Sequence, residues 1–141
     1  TPMTIREEKF HNLMERYMDM ANIIPMPCPG LMEYIEHGDI KSRELEQFLE
    51  KLFEPFEKKK IDAVVLGCTH YPFISEEIQK ILGENVMLFE GGPGTARETK
   101  RRIEAAGLRS TKKGLGEVRI ENSLQSEEQI ALCRSLLYML K

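Results

Sequence analysis

Asp62-Ala63-Val64-Val65-Leu66-Gly67-Cys68-Thr69-His70-Tyr71-Pro72 sets four consecutive apolar residues directly before a polar, reactive turn. An uninterrupted apolar run of this length predicts a parallel strand buried on both faces. The chain then turns helical. Ile74, Ile78, Ile81 and Leu82 share one helical face, opened by Ser75, Glu76 and Glu77 and closed by Gly83. A second short apolar strand follows over Val86–Phe89, and Gly91-Gly92-Pro93-Gly94 leads into a helix carrying Ala96, Thr99, Ile103 and Ala106. Strand, helix, strand, helix is the order of an α/β fold with a mostly parallel sheet. Such sheets place ligands at the carboxyl ends of their strands, which is where Cys68-Thr69-His70 stands.

Upstream, Ser42 opens the clearest helix of the chain. Leu45, Phe48, Leu49, Leu52, Phe53 and Phe56 form its apolar stripe, and Pro55 should kink or end it. Lys58, Lys59 and Lys60 read as the solvated C-terminus of that helix. Thr4, with Glu7 as capping-box partner, predicts a first helix with Phe10, Leu13, Met14, Tyr17, Met18 and Ala21 on one face. Ile23–Met26 reads as an extended strand end, and Pro25, Pro27 and Pro29 turn it into a loop. Leu31, Met32 and Ile35 predict a short helix stopping at Gly38. Near the end, Val118–Ile120 suggests a strand. Ile130, Cys133, Leu136, Leu137 and Leu140 suggest a last amphipathic helix with Cys133 in the core.

The 141 residues suit one domain or a piece of a larger one. Twenty Lys and Arg against 23 Asp and Glu give a net charge of −3, which argues against a nucleic-acid partner. No apolar run approaches the roughly 18–20 residues of a membrane span. Three cysteines without metal-type spacing, and no apolar N-terminal signal, suggest free thiols in a reducing, cytoplasmic setting. The first residue is Thr1 rather than Met, so a trimmed chain or a fragment is expected.

The turn after the strand carries the chemistry. A thiolate rather than a thiol is the reactive form of a cysteine, and a helix N-terminus or a nearby imidazolium favours it. Gly67 permits close approach of a ligand or another backbone. Thr69 offers hydroxyl and amide hydrogen bonds to a carboxylate, and His70 can hold a proton or orient the thiol. The same residues also fit a buried structural cysteine beside a capping threonine. Cys28 fits either a structural thiol or one exposed on its loop. The glycines before Thr95 fit an anion cradle at a helix start or a plain connection. A metal site built from Cys28, Cys68, His70 and Glu36 lacks paired close ligands, so none is expected.

Ala63 to Pro72 resembles the second cysteine motif of bacterial glutamate racemases. Thr1-Pro2-Met3-Thr4 resembles the Ala-Thr-x-x-Thr strand end that opens the family's second domain. Cys28-Pro29 with Glu36-x-Gly38 resembles its Cys-Pro…Val-Glu-x-Gly stretch, and Gly94-Thr95-Ala96 its Gly-x-x-Thr-Ala helix start. The likeness runs over residues 1 to 105. Phe89-Glu90-Gly91-Gly92 departs from the family's Asp followed by a small residue and Gly, and Asn122-Ser123-Leu124-Gln125 from its Ser/Thr-Gly-Asp.

The resemblance implies a flavodoxin-like, doubly wound sheet in one of two pseudo-symmetric domains. Residues 1–90 would form most of the second domain, and residues 91–141 would help complete the first, whose N-terminal half is absent. It implies cofactor-independent interconversion of L- and D-glutamate, supplying D-glutamate for peptidoglycan synthesis. Two cysteines work on opposite faces of the substrate in that family. Cys68 would be the second thiol, Thr69 and Thr4 would bind substrate, and His70 paired with Glu36 would assist Cys68. The first thiol's Ala-Asn-Thr segment is not in this sequence, so the chain alone should be inactive. Related aspartate or hydantoin racemases share the chemistry, and a stand-alone ligand-binding or thiol-redox module is a reading of another class. If the family's connectivity holds, residues 91–141 carry apolar faces meant for absent partners, so self-association, local disorder or a homo-oligomer is expected.

Overall fold

The computed structural model describes residues 5–56, 61–114 and 116–139. The expected Thr4 cap and the lysine run at 58–60 lie outside them, as does Leu140. Six α-helices and two strands follow in order among elements lying wholly within the described residues, and the strands form one parallel pair.

The first helix, α1 (Glu8–Glu15), is shorter than its apolar spacing suggests and buries no residue. Residues 21–28 then run without regular structure, so the strand end expected at Ile23–Met26 is not formed. Pro25 and Pro27 explain this: each lacks the N–H that a sheet ladder needs. Gly30, at φ +89°, turns the chain into α2 (Leu31–Glu36). A side chain there is strained by the left-handed backbone, although its Cβ would meet the Phe48 ring at 3.5 Å, an ordinary contact.

Ser42 caps α3 (Arg43–Phe53), its hydroxyl accepting the Leu45 N–H at 3.2 Å. Leu45, Leu49 and Phe53 lie on one stripe of this helix and are buried. Pro55 ends the α-geometry, and Glu54–Phe56 continue as a 3₁₀ turn. Strand β1 (Ala63–Leu66) is followed by the Cys68–His70 bends and a 3₁₀ turn over Tyr71–Ile74. That turn runs into α4 (Ser75–Leu82), which ends at Gly83, whose N–H reaches the Gln79 carbonyl at 2.8 Å. Strand β2 (Met87–Glu90) returns parallel to β1, with Val64 opposite Leu88 and Val65 opposite Phe89.

The core joins Leu31 and Ile35 of α2, Ile40 of the turn after it, Leu45, Leu49 and Phe53 of α3, and Leu66, Tyr71, Ile74 and Ile78. It occupies one face of the sheet. Leu66 is buried, and Val64 and Leu88 pack beside it. The opposite face is bare among the described residues: Val65 is 74% exposed, Met87 57% and Phe89 50%. The expectation of a strand buried on both faces is thus corrected. Successive side chains alternate across a sheet, and α2, α3 and α4 cover only one side of it.

The remaining helices, α5 (Gly92–Ala105) and α6 (Glu127–Met139), bury no residue. Cys133, expected in the core, is exposed, and the half-buried positions of α6 are Ile130, Leu132 and Leu136, of which Ile130 and Leu136 belong to the expected stripe. Leu132 and Leu136 lie four residues apart, one turn along the helix, so the partly covered face includes Leu132 and leaves out Cys133 and Leu137. Val118–Ile120 forms no strand, and Val118 is 70% exposed.

Candidate active site

The site is built where β1 ends. Buried Leu66 anchors the strand on the core, and buried Tyr71 and Ile74 anchor the 3₁₀ turn on the same core. Cys68-Thr69-His70 is held between these two anchors as a short run of bends. Helix α2 packs against the 3₁₀ turn and so brings its last residue, Glu36, to His70. A Cβ at Gly67 would meet nothing within 4 Å, so the space in front of that residue is open.

Glu36, His70 and Cys68 form a line. The His70 Nε2 lies 3.4 Å from Glu36 Oε1, and Nδ1 of the same ring lies 3.8 Å from Cys68 Sγ. A carboxylate only accepts, so Nε2 carries a proton when it bonds Glu36. In the neutral ring Nδ1 is then a bare acceptor facing the thiol, and Cys68 donates to it. In the charged ring Nδ1–H faces a thiolate instead. The line can therefore pass through both protonation states without moving its heavy atoms. The Thr69 hydroxyl stands 3.5 Å from the same Nδ1 and is exposed, leaving it accessible to a ligand.

The thiol is half-buried, as is that of Cys28. Cys28 donates to the Met26 carbonyl at 3.5 Å. Burial pushes its thiol up, an effect partly offset by the Tyr71 hydroxyl and reinforced by Cys68. Burial likewise pushes the Tyr71 phenol up, with Cys28 and Cys68 adding to it. The sequence left Cys28 between a structural thiol and a loop thiol, and it gave Tyr71 no role.

Thr4 lies outside the described residues. The hydroxyl of Thr95 is turned back onto the Gly91 carbonyl at 2.8 Å, within its own helix start. Two open surface grooves, about 710 and 930 Å³, lie along α4 and between α3 and α4. Neither is lined by Cys68 or His70, and we place the chemistry at the thiol turn because reactive groups converge there and not in the grooves. Among the described residues, no three His, Cys, Asp or Glu side chains are grouped to hold a metal ion, and no helix is long and apolar enough to cross a membrane.

No family model matches the chain. Individual proteins do. It is 42% identical over 137 residues to a glutamate racemase of Clostridium perfringens, covering 97% of this chain and 53% of that protein. It is 45% identical over 137 residues to the glutamate racemase of Clostridium kluyveri, with the same coverage. The likeness thus extends past residue 105, where the motifs alone end. Among solved structures, the glutamate racemase of Francisella tularensis in complex with D-glutamate superposes with a TM-score of 0.69 at 28% identity, covering 80% of this chain and 42% of that one. Glutamate racemase isoform RacE1 from Bacillus anthracis gives 0.65 at 26%, covering 77% and 41%. The chain spans about half the length of the curated relatives it matches. Over nearly all of its own length, then, this α/β chain is similar to glutamate racemases.

Proposed function

We propose that this chain supplies one face of the active site of a cofactor-independent glutamate racemase, with Cys68 as the thiol of that face. The observation that carries the reading is the Glu36–His70–Cys68 line, at 3.4 and 3.8 Å, on the open end of a parallel strand. Racemisation without a cofactor removes the α-proton from one side of the substrate and returns a proton to the other. A thiolate takes the proton: the Cα–H bond breaks and an S–H bond forms. A thiol opposite then gives its proton to the resulting carbanion. Each group must be held against the weakly acidic carbon, since geometry supplies much of the rate.

In this reading His70 and Glu36 keep Cys68 aimed and share its proton, and Thr69, with Thr4, binds the charged groups of glutamate. The opposing thiol comes from the part of the relatives' length that this chain does not span. Residues 1–90 then form most of one racemase domain and residues 91–141 help complete the other. The bare sheet face at Val65, Met87 and Phe89 and the unburied helix α5 fit a chain that packs against further protein. The product, D-glutamate, serves peptidoglycan synthesis.

The test uses a protein completed to the full length of its relatives, assayed by circular dichroism for loss of optical activity from L-glutamate. Cys68→Ala abolishes turnover, and Cys68→Ser slows it by roughly 10²–10⁴-fold because a hydroxyl is a far weaker acid than a thiol. A Cys68→Ala protein with unimpaired turnover refutes the role. A panel with aspartate and hydantoins in place of glutamate separates the related racemases.

A further inference from the structure

Glu36 is the last residue of α2, so the aim of its carboxylate depends on how that helix ends. The side chain is 51% exposed, which leaves the backbone rather than packing to place it. The helix ends in a glycine cap. The Gly38 N–H donates to the Ile35 carbonyl at 3.1 Å, and the Asp39 N–H to the Tyr34 carbonyl at 2.8 Å. This pair of bonds needs a left-handed residue just past the helix, and Gly38 stands there at φ +79°. Fully buried Ile35 and buried Ile40 anchor the cap on either side. The Asp39 carbonyl also accepts the Ser42 hydroxyl at 3.3 Å, which joins the cap to the start of α3.

The outer side of the cap is covered by α6. A Cβ on Gly38 would lie 3.6 Å from Leu132 Cδ1, an ordinary contact, so the backbone and not the space demands a glycine. Leu132 is half-buried, and Leu136, one turn further on, packs against the core. One of the two leucines that seat α6 therefore rests on the residue that closes α2. The His70 ring meets Glu36 at Nε2 and Cys68 and Thr69 at Nδ1. At 3.4 Å the Glu36–His70 contact is longer than the about 2.7–3.2 Å of an ordinary hydrogen bond, so a small displacement of the end of α2 decides whether it forms.

We infer that Gly38 is a positioning residue for proton transfer at Cys68: its left-handed cap sets the end of α2 and with it the aim of Glu36 at His70, and Leu132 of α6 holds that cap from outside. Neither residue touches substrate. The inference rests on the proposed role of Cys68 and adds two residues to the line that supports it.

Two measurements test it. The first needs no catalysis. Iodoacetamide labels each cysteine of this chain at a rate that follows its thiolate, and peptide mass spectrometry reads Cys68 against exposed Cys133. Glu36→Gln withdraws the charge that favours the imidazolium, and the Cys68 rate at neutral pH falls at least about twofold. Gly38→Ala puts a side chain on a left-handed backbone and lowers the rate in the same direction; Gly38→Asn, better suited to that conformation, lowers it less. Leu132→Ala leaves the cap residue untouched and lowers the rate by a smaller factor. Beside Glu36→Gln, neither Gly38→Ala nor Leu132→Ala changes the rate further, because both act through Glu36. The second measurement uses the protein completed to its relatives' length. There Gly38→Ala lowers kcat about 10-fold with KM within about twofold, and the loss again vanishes beside Glu36→Gln.

A Cys68 rate unchanged by Gly38→Ala overturns the inference. So does a Gly38→Ala effect that persists undiminished beside Glu36→Gln, since the glycine would then act through the fold at large. A rate unchanged by Leu132→Ala overturns the part given to α6. Should Gly38→Ala not fold by circular dichroism, Leu132→Ala with and without Glu36→Gln decides on the same terms. Absence of racemisation in the unmutated completed protein sinks the proposed function instead, and the labelling rates alone then decide whether the cap sets the line.

Discussion

Ile74 bolts the Cys68–His70 turn to the core, and shortening it should cost the molecule a large share of its stability. Its side chain is fully buried at the end of the 3₁₀ turn that begins with Tyr71, among the ten core residues that include Leu31, Ile35, Leu45 and Leu49. Ile74→Ala removes three carbons from a close-packed site, and such truncations cost about 2–5 kcal/mol through lost transfer energy and the cavity left behind. Ile74→Val removes one and costs about 1 kcal/mol. The matching control is Val65→Thr on the other face of the sheet. Val65 is 74% exposed, so its hydroxyl would stay in water and the change should cost no more than about 0.5 kcal/mol. For a packed unit of about 60–100 residues, 1 kcal/mol moves Tm by about 4–8 °C. Ile74→Ala should then melt more than about 10 °C below the unmutated chain, and Val65→Thr within a few degrees of it. Urea titrations followed by circular dichroism, at low micromolar protein, read the same ordering as midpoints at constant slope. A Val65→Thr cost above about 1 kcal/mol would refute the one-sided core, because it would mean that a hydroxyl had been buried there.

Ser42→Ala deletes the side-chain acceptor of the Leu45 N–H and should lower stability by about 1 kcal/mol, read from the same urea midpoint. Glu98, paired with Arg101 and Arg102 at 2.7 and 2.8 Å, has its carboxyl held down to about 2 by those hydrogen bonds. A depressed folded value stabilises α5 fully above the ordinary carboxylate range and is lost as pH falls towards about 2. Helicity should therefore drop between pH 4.5 and 2 in the unmutated chain by more than in Glu98→Gln; equal drops would remove the pair from the account.

Much of this architecture is legible in the residues, for reasons that differ from element to element. β1 announces itself because four apolar residues in a row fit few other structures, and α3 because its stripe and its Ser42 cap agree. Pro55 stops α3 where its missing N–H requires. The Glu36–His70–Cys68 line was anticipated through resemblance rather than spacing, since Glu36 and His70 meet only when α2 packs on the 3₁₀ turn. What stayed illegible depends on partners. Apolar periodicity says that a face wants cover, not that cover is present. Val65, Met87 and Phe89 are apolar and exposed for that reason, and Cys133 was misplaced because a stripe defines a helix face only to within a turn.

The bare face of the two-stranded sheet also governs how the chain behaves at the bench. Val65, Met87 and Phe89 form a ribbon of hydrocarbon beside strands that each pair on one side only within the described sheet. Unpaired edges and exposed apolar surface both recruit further copies. Sulfate, which strengthens burial, should salt this chain out early and retain it on a phenyl column, and mild urea should release it.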